Sequence, residues 1–311
     1  MKKIWIWVVY VLLVLGSYYL FTPTLNPTSL VFWIYLTAVV FVGIVFALPM
    51  HSHTEGNQLH IDSKNLVRIP IVMVICWAVI LVGMLIGGPL FNAKEYSERI
   101  QISTGNFAED VKPADFTNLP LLDKDSSQKL GDRIVGQLPD LVSQFRVSEE
   151  YTQINYNGKI VRVTPLDHNG FFKYWSNKSS GTPGYVIVNS TDGASELVRM
   201  EGNGLHYMPS SWFNENLRRH VQMNNPFLIF GEESFEIDEE GNPYWVIQIL
   251  NYKFVGLKKE VVGVMVVDPR NGEMTRYDCD EVPNWIDNVY DAELITQQVN
   301  DWGSYKSGFL N

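Results

Sequence analysis

Charged residues are missing from long stretches near the start of the chain. No residue between Lys3 and Glu55 carries a formal charge, and a turn with two prolines at residues 22–28 divides this stretch into two apolar runs. A third uncharged run covers residues 69–93. About 20 apolar residues in a helix cross the ~30 Å of hydrocarbon in a bilayer. The pattern therefore predicts three transmembrane helices, at about residues 4–21, 29–48 and 69–88, in an anchor of residues 1–93.

The positions of basic residues predict how this anchor is oriented. Lys2 and Lys3 precede the first run, and Lys64 and Arg68 lie between the second and the third, whereas the turn at residues 22–28 has neither lysine nor arginine. Since loops rich in these residues stay in the cytoplasm, we expect a multi-pass protein of the cell membrane with a cytoplasmic N-terminus and an extracytoplasmic C-terminal region. A cleaved signal peptide is the alternative for the first run, but this run is long for one and lacks an A-x-A-like cleavage site.

Beyond the anchor, β-branched runs alternate with glycine-containing turns in an order that occurs twice. A shift of 83 residues places Glu149-Glu150, Ile154 and Gly158 on Glu232-Glu233, Ile237 and Gly241. A shift of 79 residues then places residues 184–193 on residues 263–272. Each matched segment has the strand–turn–strand pattern of a β-hairpin. The sequence thus predicts two hairpins in each of two copies.

Helical patterns flank these hairpins. Residues 126–145 and 210–223 precede the first and second copies, and residues 283–302 close the chain with apolar residues at three- and four-residue spacing. This order predicts an α+β fold with antiparallel sheets. We therefore expect a linker at residues 94–125, then tandem α+β repeats at residues 126–205 and 206–311, the second with the closing helix.

The distribution of charge limits the partners of this C-terminal region. The net charge is −10 for the whole chain and +2 up to Gly88, which leaves −12 for the remainder. Binding to nucleic acid needs clustered lysine and arginine to neutralise phosphates. An acidic region of this size argues against a nucleic-acid partner. The partners that we expect are the lipid bilayer, for the apolar runs, and a protein at the extracytoplasmic face.

One hairpin resembles a known family. The residues Val266-Val267-Asp268-Pro269-Arg270-Asn271-Gly272-Glu273, which follow Tyr244-Trp245-Val246-Ile247, resemble the end of a PepSY module, a small α+β domain of exported bacterial proteins. That family has a strand, a D-x-x-T-G-E-like turn and another strand, and Asn271 stands where threonine is usual. The region from Gly184 onward is also similar to uncharacterised multi-span membrane proteins of Gram-positive bacteria. The PepSY-like resemblance implies binding or restraint of a partner, such as a peptidase, at the bacterial cell envelope, and the similarity to multi-span membrane proteins implies an architecture and no activity.

Motifs for catalysis are missing from the sequence. His168, His206 and His220 are scattered, no G-x-S-x-G or H-E-x-x-H motif occurs, and neither cysteine lies in a nucleophile motif. We interpret Ser210 or Ser211 as the N-cap of the second helix. Cys76 lies in the third apolar run, so it cannot pair with Cys279, which we interpret as a small buried residue, with intermolecular pairing as the alternative.

Two groups of residues resemble metal sites without matching one. His51, His53 and His60 lie near Glu55 and Asp62 in the loop between the second and third runs, and could ligate a metal, but we interpret them as solvated. The oxygen-rich segments 238–242 and 268–272 depart from the calcium-loop pattern and are explained as turns. No cofactor, metal or catalytic site is predicted.

These observations favour a membrane-anchored extracytoplasmic interaction or regulatory protein that binds a protein or an envelope component. The alternative is a subunit of a transport or channel assembly, although no ionisable residue lies within the apolar runs. A hydrolase of unusual geometry would need one of the histidines beside an acid and a nucleophile. Aromatic and basic residues are the candidate partner surface, namely Trp212, Arg218, Arg219, His220, Trp245 and Trp285.

Overall fold

The computed structural model describes the backbone of residues 2–55, 58–61, 64–111, 119–200 and 202–310, and the side chains of residues 4–48, 68–111, 119–200 and 202–310. Its first three helices are α1 (Lys2–Phe21), α2 (Leu30–His51) and α3 (Lys64–Gly87). Each is long and apolar enough to cross a membrane, over residues 4–21, 30–48 and 68–87. The three predicted apolar helices are therefore confirmed. We call them the apolar helices.

Helix α2 contacts both of its neighbours through polar side chains. The Tyr35 hydroxyl lies 3.0 Å from that of Ser17 in α1, and the Trp77 indole of α3 donates a hydrogen bond to Thr37 Oγ1 at 2.9 Å. Many other side chains of α1 to α3 are aliphatic and exposed, as contact with a lipid bilayer would require. Between α2 and α3 the chain forms an antiparallel hairpin of β1 (Ser52–Glu55) and β2 (Gln58–Ile61).

The remaining elements form an α+β region with two antiparallel sheets. The first group comprises α4 (Pro89–Ser97), α5 (Phe107–Asp110), α6 (Lys124–Gly136), β3 (Phe145–Val147), β4 (Thr152–Tyr156), β5 (Lys159–His168), α7 (Phe171–Asn177), β6 (Gly184–Asn189) and β7 (Ser195–Arg199). The second group comprises α8 (Leu217–Asn224), β8 (Ile229–Ile237), β9 (Pro243–Phe254), β10 (Leu257–Val267), β11 (Met274–Asp278) and α9 (Ala292–Tyr305).

The two sheets have similar connectivity. In the first sheet β4, β5, β6 and β7 pair in chain order, and β3 pairs with the far end of β5. In the second sheet β8, β9, β10 and β11 pair in chain order. All four predicted hairpins are present, and each turn lies where the sequence indicates.

The pairing registers of the two sheets also correspond in three of the four strands. Val163 pairs with Ile187 in the first sheet, and their counterparts at shifts of 83 and 79 residues, Val246 and Val266, pair in the second. The same holds for β6 with β7 and β10 with β11, where Val188 faces Ser195 and Val267 faces Met274.

The first strand of each hairpin departs from the predicted alignment. Ile154 pairs with Val161, whose counterpart Tyr244 pairs with Glu236 and not with Ile237. The β8–β9 loop is longer than the two-residue β4–β5 loop, and this shifts β8 by one residue. In an antiparallel sheet a one-residue shift turns a side chain to the opposite face. The predicted equivalence of Ile154 and Ile237 is therefore wrong, and Glu236 is the structural counterpart of Ile154.

The two sheets stack so that one core lies between them. Helix α6 covers one face of the first sheet, where Val135 packs near Val186 and Val188. The opposite face of the first sheet packs on the second sheet together with α8. Side chains from all three share one buried cluster that includes Ile154, Val163, Tyr185, Leu217, Val221, Phe235, Trp245 and Ile247.

The far face of the second sheet is covered by the C-terminal residues, but not by the long helix that we predicted. Only Ala292–Tyr305 is helical, and Asp291 caps this helix by accepting a hydrogen bond from the Leu294 amide at 2.6 Å. Residues 282–290, which we call the strap, have no helix and place Ile286 against Val246 and Val264. The apolar spacing in this segment thus comes from a non-helical chain lying on a sheet.

The other two predicted helices are shorter than expected. Helix α6 ends at Gly136, and Phe145 belongs to strand β3. Helix α8 begins at Leu217, and its N-cap is Asn216, whose side chain accepts a hydrogen bond from the Arg219 amide at 3.1 Å. The expectation that Ser210 or Ser211 is the N-cap is therefore wrong. Ser211 instead donates to the His206 carbonyl at 2.6 Å.

Candidate functional site

The six residues of the predicted partner surface do not form one surface. Trp245 is completely buried between the sheets, where it packs edge-on against Phe235 at 5.3 Å. Trp245 is therefore a core residue, and its prediction as part of a partner surface is wrong. Trp285 lies on the other side of the second sheet, half-buried in the strap, with its ring centroid 5.0 Å from that of Tyr244. The remaining four residues lie in or beside α8.

The basic residues of α8 have separate intramolecular partners. Arg218 forms an ion pair with Glu233 at 2.6 Å and is partly exposed. His220 packs against Tyr207 and its Nε2 lies 2.8 Å from the Gly272 carbonyl. Arg219 reaches α1, where its Nε donates to the Tyr19 carbonyl at 2.8 Å. The guanidinium lies at the C-terminal end of α1, where the helix dipole stabilises a cation. Arg219 thus ties the α+β region to α1.

Further contacts join the α+β region to the turn between α1 and α2. The Leu25 amide donates to the Pro226 carbonyl at 2.7 Å, and the Gly256 amide donates to the Thr28 carbonyl at 3.0 Å. The Asn26 side chain donates to the Phe227 carbonyl at 3.0 Å. Bonds that involve the main chain on both sides fix position more strictly than contacts between long side chains. We call this set of contacts, together with that of Arg219, the junction.

The end of α3 also packs against the α+β region. A Cβ atom on Gly87 would lie 2.8 Å from the Phe254 ring, at the β9–β10 turn, so only glycine permits this close approach. Helix α4 follows at once, with Pro89 at its first position, where proline is favoured. Helix α3 therefore leads directly into the first element of the α+β region.

Helix α4 and Arg99, two residues beyond its end, are held by two ion pairs with later parts of the chain. Arg99 pairs with Asp301 of α9 at 2.8 Å, and both side chains are largely buried. Lys258, whose side chain is buried, pairs with Glu95, and this hydrogen bond lowers the pKa of that exposed carboxyl. The segment at residues 94–125, predicted as a linker, thus begins with residues that contact α9 and β10.

Exposed aromatic rings form a cluster near α1. Phe171 contacts Trp212 at 5.1 Å and Trp175 at 6.1 Å, and Phe213 contacts both Phe171 and Trp175 at 6.2 Å. Phe172 is 82% exposed and Trp175 is 59% exposed. We call the five residues Phe171, Phe172, Trp175, Trp212 and Phe213 the aromatic cluster. Only Trp212 was predicted, although four aromatic residues within residues 171–175 are a signal that could have indicated the rest.

A polar cleft of about 180 Å³ lies where the two first hairpin turns meet the strap. Exposed Asn157 and Glu239 come from the two turns, and exposed Asn284 and half-buried Trp285 come from the strap. Asp238 and Asp287 also line the cleft, and none of the described residues that line it is a lysine or an arginine. The cleft is therefore acidic and combines contributions from both sheets.

A buried carboxylate holds the strap beside this cleft. Glu236 is fully buried and accepts hydrogen bonds from the Asp287 amide at 2.8 Å, the Asn288 amide at 3.3 Å and the Ser234 hydroxyl at 2.7 Å. Burial raises the pKa of Glu236. Asp287 in turn accepts from the Asn155 amide of β4 at 2.5 Å. The strap thus links β4 of the first sheet to β8 of the second.

The arrangement needed for a hydrolase is not formed around His168. Ser210 Oγ accepts a hydrogen bond from the His168 main chain at 3.2 Å, not from its ring. Burial lowers the pKa of His168 to about 4 and raises that of Asp167. Both side chains are more than nine-tenths buried. The imidazole packs against the rings of Phe145 and Tyr174, and its Nδ1 has no hydrogen-bond partner among the described residues, so His168 is arranged as part of the core.

The oxygen-rich loops are explained by their own turns. Asp238 accepts from the Glu240 and Asn242 amides at 3.0 and 2.8 Å, and Asp268 accepts from the Arg270 amide at 2.8 Å. Among the described residues no group of three or more His, Cys, Asp or Glu could hold a metal ion. The side chains of His51, His53, His60, Glu55 and Asp62 lie outside the described part of the chain.

The two cysteines are separate and free. Cys279 is half-buried and lies among Val261, Leu294 and Val289, with its sulfur 3.6 Å from the Val261 carbonyl oxygen. A hydrogen bond to Cys279 is the main cause that raises the pKa of Tyr290.

Comparisons of this chain with protein-family models, with curated proteins and with solved structures found no match.

Proposed function

We propose that this protein is a membrane-anchored extracytoplasmic module that binds a protein or an envelope component. The junction is the observation that carries this proposal. It holds the α+β region in one position on the apolar helices, so a bound partner would be held at a defined place beside the membrane. A domain that only needed to stay near a membrane could be tethered by a free linker instead.

The junction agrees with a topology of three spans. An odd number of spans puts the turn at residues 22–28 and the region after α3 on the same face of the bilayer, and these are the parts that the junction joins. The basic residues Lys2, Lys3, Lys64 and Arg68 favour the extracytoplasmic face for both, by the positive-inside rule.

The corresponding registers of the two sheets support tandem copies of one α+β unit. In repeat proteins each unit covers an apolar face of its neighbour, and the terminal unit needs a cap. The second unit covers the first sheet. The strap covers the far face of the second sheet, where a repeat protein would need a cap. The resemblance to PepSY modules stays a prediction.

The acidic cleft is the proposed partner site. It lies at the opposite end of β9 from the Phe254 contact with α3. Carboxylates and amides beside a half-buried tryptophan suit a basic or hydroxyl-rich segment of a partner, because such a segment can donate hydrogen bonds while it packs on the ring.

Photo-crosslinking in intact cells tests this site. Benzoylphenylalanine at Glu239 or at Asn284 should give the same discrete adduct, whereas the amino acid at exposed Lys129 of α6 should not. Trp285→Ala should weaken this adduct several-fold, and Trp212→Ala, outside the cleft, should leave it unchanged. Equal labelling of abundant proteins from all three positions would overturn the proposal.

A further inference from the structure

The aromatic cluster lies at the level where α1 ends. Asn214, which follows Phe213, accepts a hydrogen bond from the Tyr19 hydroxyl at 2.8 Å. Arg219 connects the same places, since its Nε donates to the Tyr19 carbonyl and its Nη1 donates to the Phe213 carbonyl at 2.6 Å. Phe213 is thus fixed to the last turn of a helix that is long and apolar enough to cross a membrane.

This position corresponds to the edge of the hydrocarbon. Tyr19 is within the apolar window at residues 4–21, and helical side chains lean towards the N-terminus of their helix, which for Tyr19 is towards the bilayer centre. Because its hydroxyl bonds to Asn214, Asn214 lies within one side-chain length of a residue in this window. The headgroup region of one leaflet is roughly 5–7 Å thick, and the next rings of the aromatic cluster are about one such distance from Phe213.

The composition of the aromatic cluster suits this environment. Phe172, Trp175, Trp212 and Phe213 are 82%, 59%, 48% and 43% exposed. Aromatic rings are enriched at the membrane–water interface, and Tyr19 and Trp33 already lie near these ends of α1 and α2. Glu215 accepts a hydrogen bond from Tyr174 of α7 at 2.8 Å, and two lysines lie beside the rings, Lys173 in α7 and Lys178 at 5.9 Å from the Trp175 ring. Anionic headgroups attract such residues.

Exposed apolar side chains also adjoin other contacts between the α+β region and the apolar helices or the turn that joins α1 to α2. Phe227, whose carbonyl accepts from Asn26, is 66% exposed, and Phe254, which packs on Gly87, is 39% exposed. Exposed apolar groups therefore occur at the ends of several apolar helices.

From these contacts we infer that the aromatic cluster inserts into the headgroup region of the same bilayer that the three helices span, so that the α+β region rests on the lipid surface as well as on the helices. This inference rests on the membrane anchoring in the proposed function. It concerns a surface other than the acidic cleft.

Spin labels on the full-length chain can test the depth of the cluster. In a Cys76→Ala, Cys279→Ala background, single cysteines replace Phe172, Leu12 of α1 or Glu239, and the labelled protein is reconstituted in nanodiscs of phosphatidylcholine and phosphatidylglycerol. Collision with oxygen relative to a water-soluble nickel complex then reports depth. We expect the oxygen-to-nickel ratio at residue 172 to lie between those at residues 12 and 239, and to be several-fold higher than at residue 239, because residue 12 is near the middle of the apolar window of α1.

The possible failures differ from one another. A water-exposed label at residue 172 beside a lipid-exposed label at residue 12 overturns the inference but leaves the anchoring intact. Water exposure at both positions overturns the inference and the proposed membrane anchor together. A label at residue 172 that is shielded from both reagents in cell-derived membranes, but exposed to water in nanodiscs, indicates a protein contact and also overturns it. Phe172 is so exposed that its replacement leaves the fold in place.

Discussion

The two sheets of the α+β region share their connectivity and differ in what covers their second face. The first sheet is covered by the second sheet, and Ile154 in its strand β4 faces that sheet. The second sheet is covered by the strap, and at the counterpart position it has Glu236. An apolar side chain suffices against another sheet, whose main-chain groups are already paired. A non-helical strap brings free amides, and Glu236 accepts two of them.

A second difference lies in the connection between the central strands. Residues 169–183, which include α7 and its aromatic rings, join β5 to β6, whereas only residues 255–256 join β9 to β10. The short turn packs against α2 and α3 through Gly256 and Phe254. The connection between the central strands therefore carries an exposed aromatic surface in the first sheet. In the second sheet the corresponding turn contacts the apolar helices.

The largest expected effect tests whether the two sheets share one core. Trp245→Ala removes a fully buried ring from between them and should cost about 3–5 kcal/mol of unfolding free energy. Hydrogen exchange should show that protection falls in both sheets, because the ring packs in their common cluster. Trp285→Ala, on the strap, is the matched control and should leave the first sheet protected. Loss of protection in the second sheet alone would show that the sheets are independent.

The next effect tests the role of Glu236 as the acceptor for the strap. Glu236→Ala leaves two amides without their acceptor, and we expect a loss of roughly 2–4 kcal/mol in urea unfolding, since each buried unsatisfied group costs ~1–3 kcal/mol. Amide exchange at residues 287 and 288 should rise most. Glu236→Gln retains an acceptor oxygen and should lose less. If alanine and glutamine cost the same, the hydrogen bonds do not hold the strap.

The pH dependence of stability should reveal one buried carboxyl in each sheet. The folded pKa values of Glu236 and Asp167 are raised, so the folded state binds their protons more tightly than the unfolded state does. Stability from each is then present below the unfolded pKa and is lost as pH rises through the raised folded pKa, by ~1.4 kcal/mol for each pH unit that separates the folded from the unfolded pKa. Glu236→Gln and Asp167→Asn should each flatten this fall above about pH 4.5. If the fall of unfolding free energy with pH is unchanged in either variant, the replaced carboxyl does not contribute to it.

The smallest effect compares the turns of the two first hairpins. Gly158 and Gly241 have φ values of 75° and 82°, a region that costs other residues ~1 kcal/mol or more. Alanine at either position should therefore lower the unfolding free energy by about 1 kcal/mol, although the loops differ in length. Thermal unfolding of both variants would show this, and a neutral Gly158→Ala would mean that the β4–β5 turn adopts another form.

Local features of the sequence predicted much of this fold. Uncharged runs indicated the three apolar helices, and glycine-containing turns indicated all four hairpins, because both depend on neighbouring residues. The strap was predicted as helix because Ile286 and Val289 contact a sheet at intervals that imitate helical spacing. Glu236 alternates with apolar neighbours as a solvent-facing strand residue would, and only a distant segment buries it.

The candidate surface was predicted less well for the same reason. Whether Trp245 is covered, and whether Arg219 bonds to Tyr19, depends on residues far away in the chain. Trp212 does lie in an exposed aromatic surface, but most other rings of the aromatic cluster come from residues 171–175, which adjoin it only in the folded chain.

The ion pair between Arg99 and Asp301 has a mechanical consequence. It joins the segment that follows α3 to the helix near the C-terminus, and a further hydrogen bond from Arg99 to the Lys259 carbonyl reinforces it at 2.5 Å. Tension applied beyond α9 would divide at this tie between α4, which continues from α3, and strand β10, which holds the Lys259 carbonyl. The strap, which precedes α9 in the chain, is thereby shielded from a pull on the C-terminus, and α3 takes part of the load.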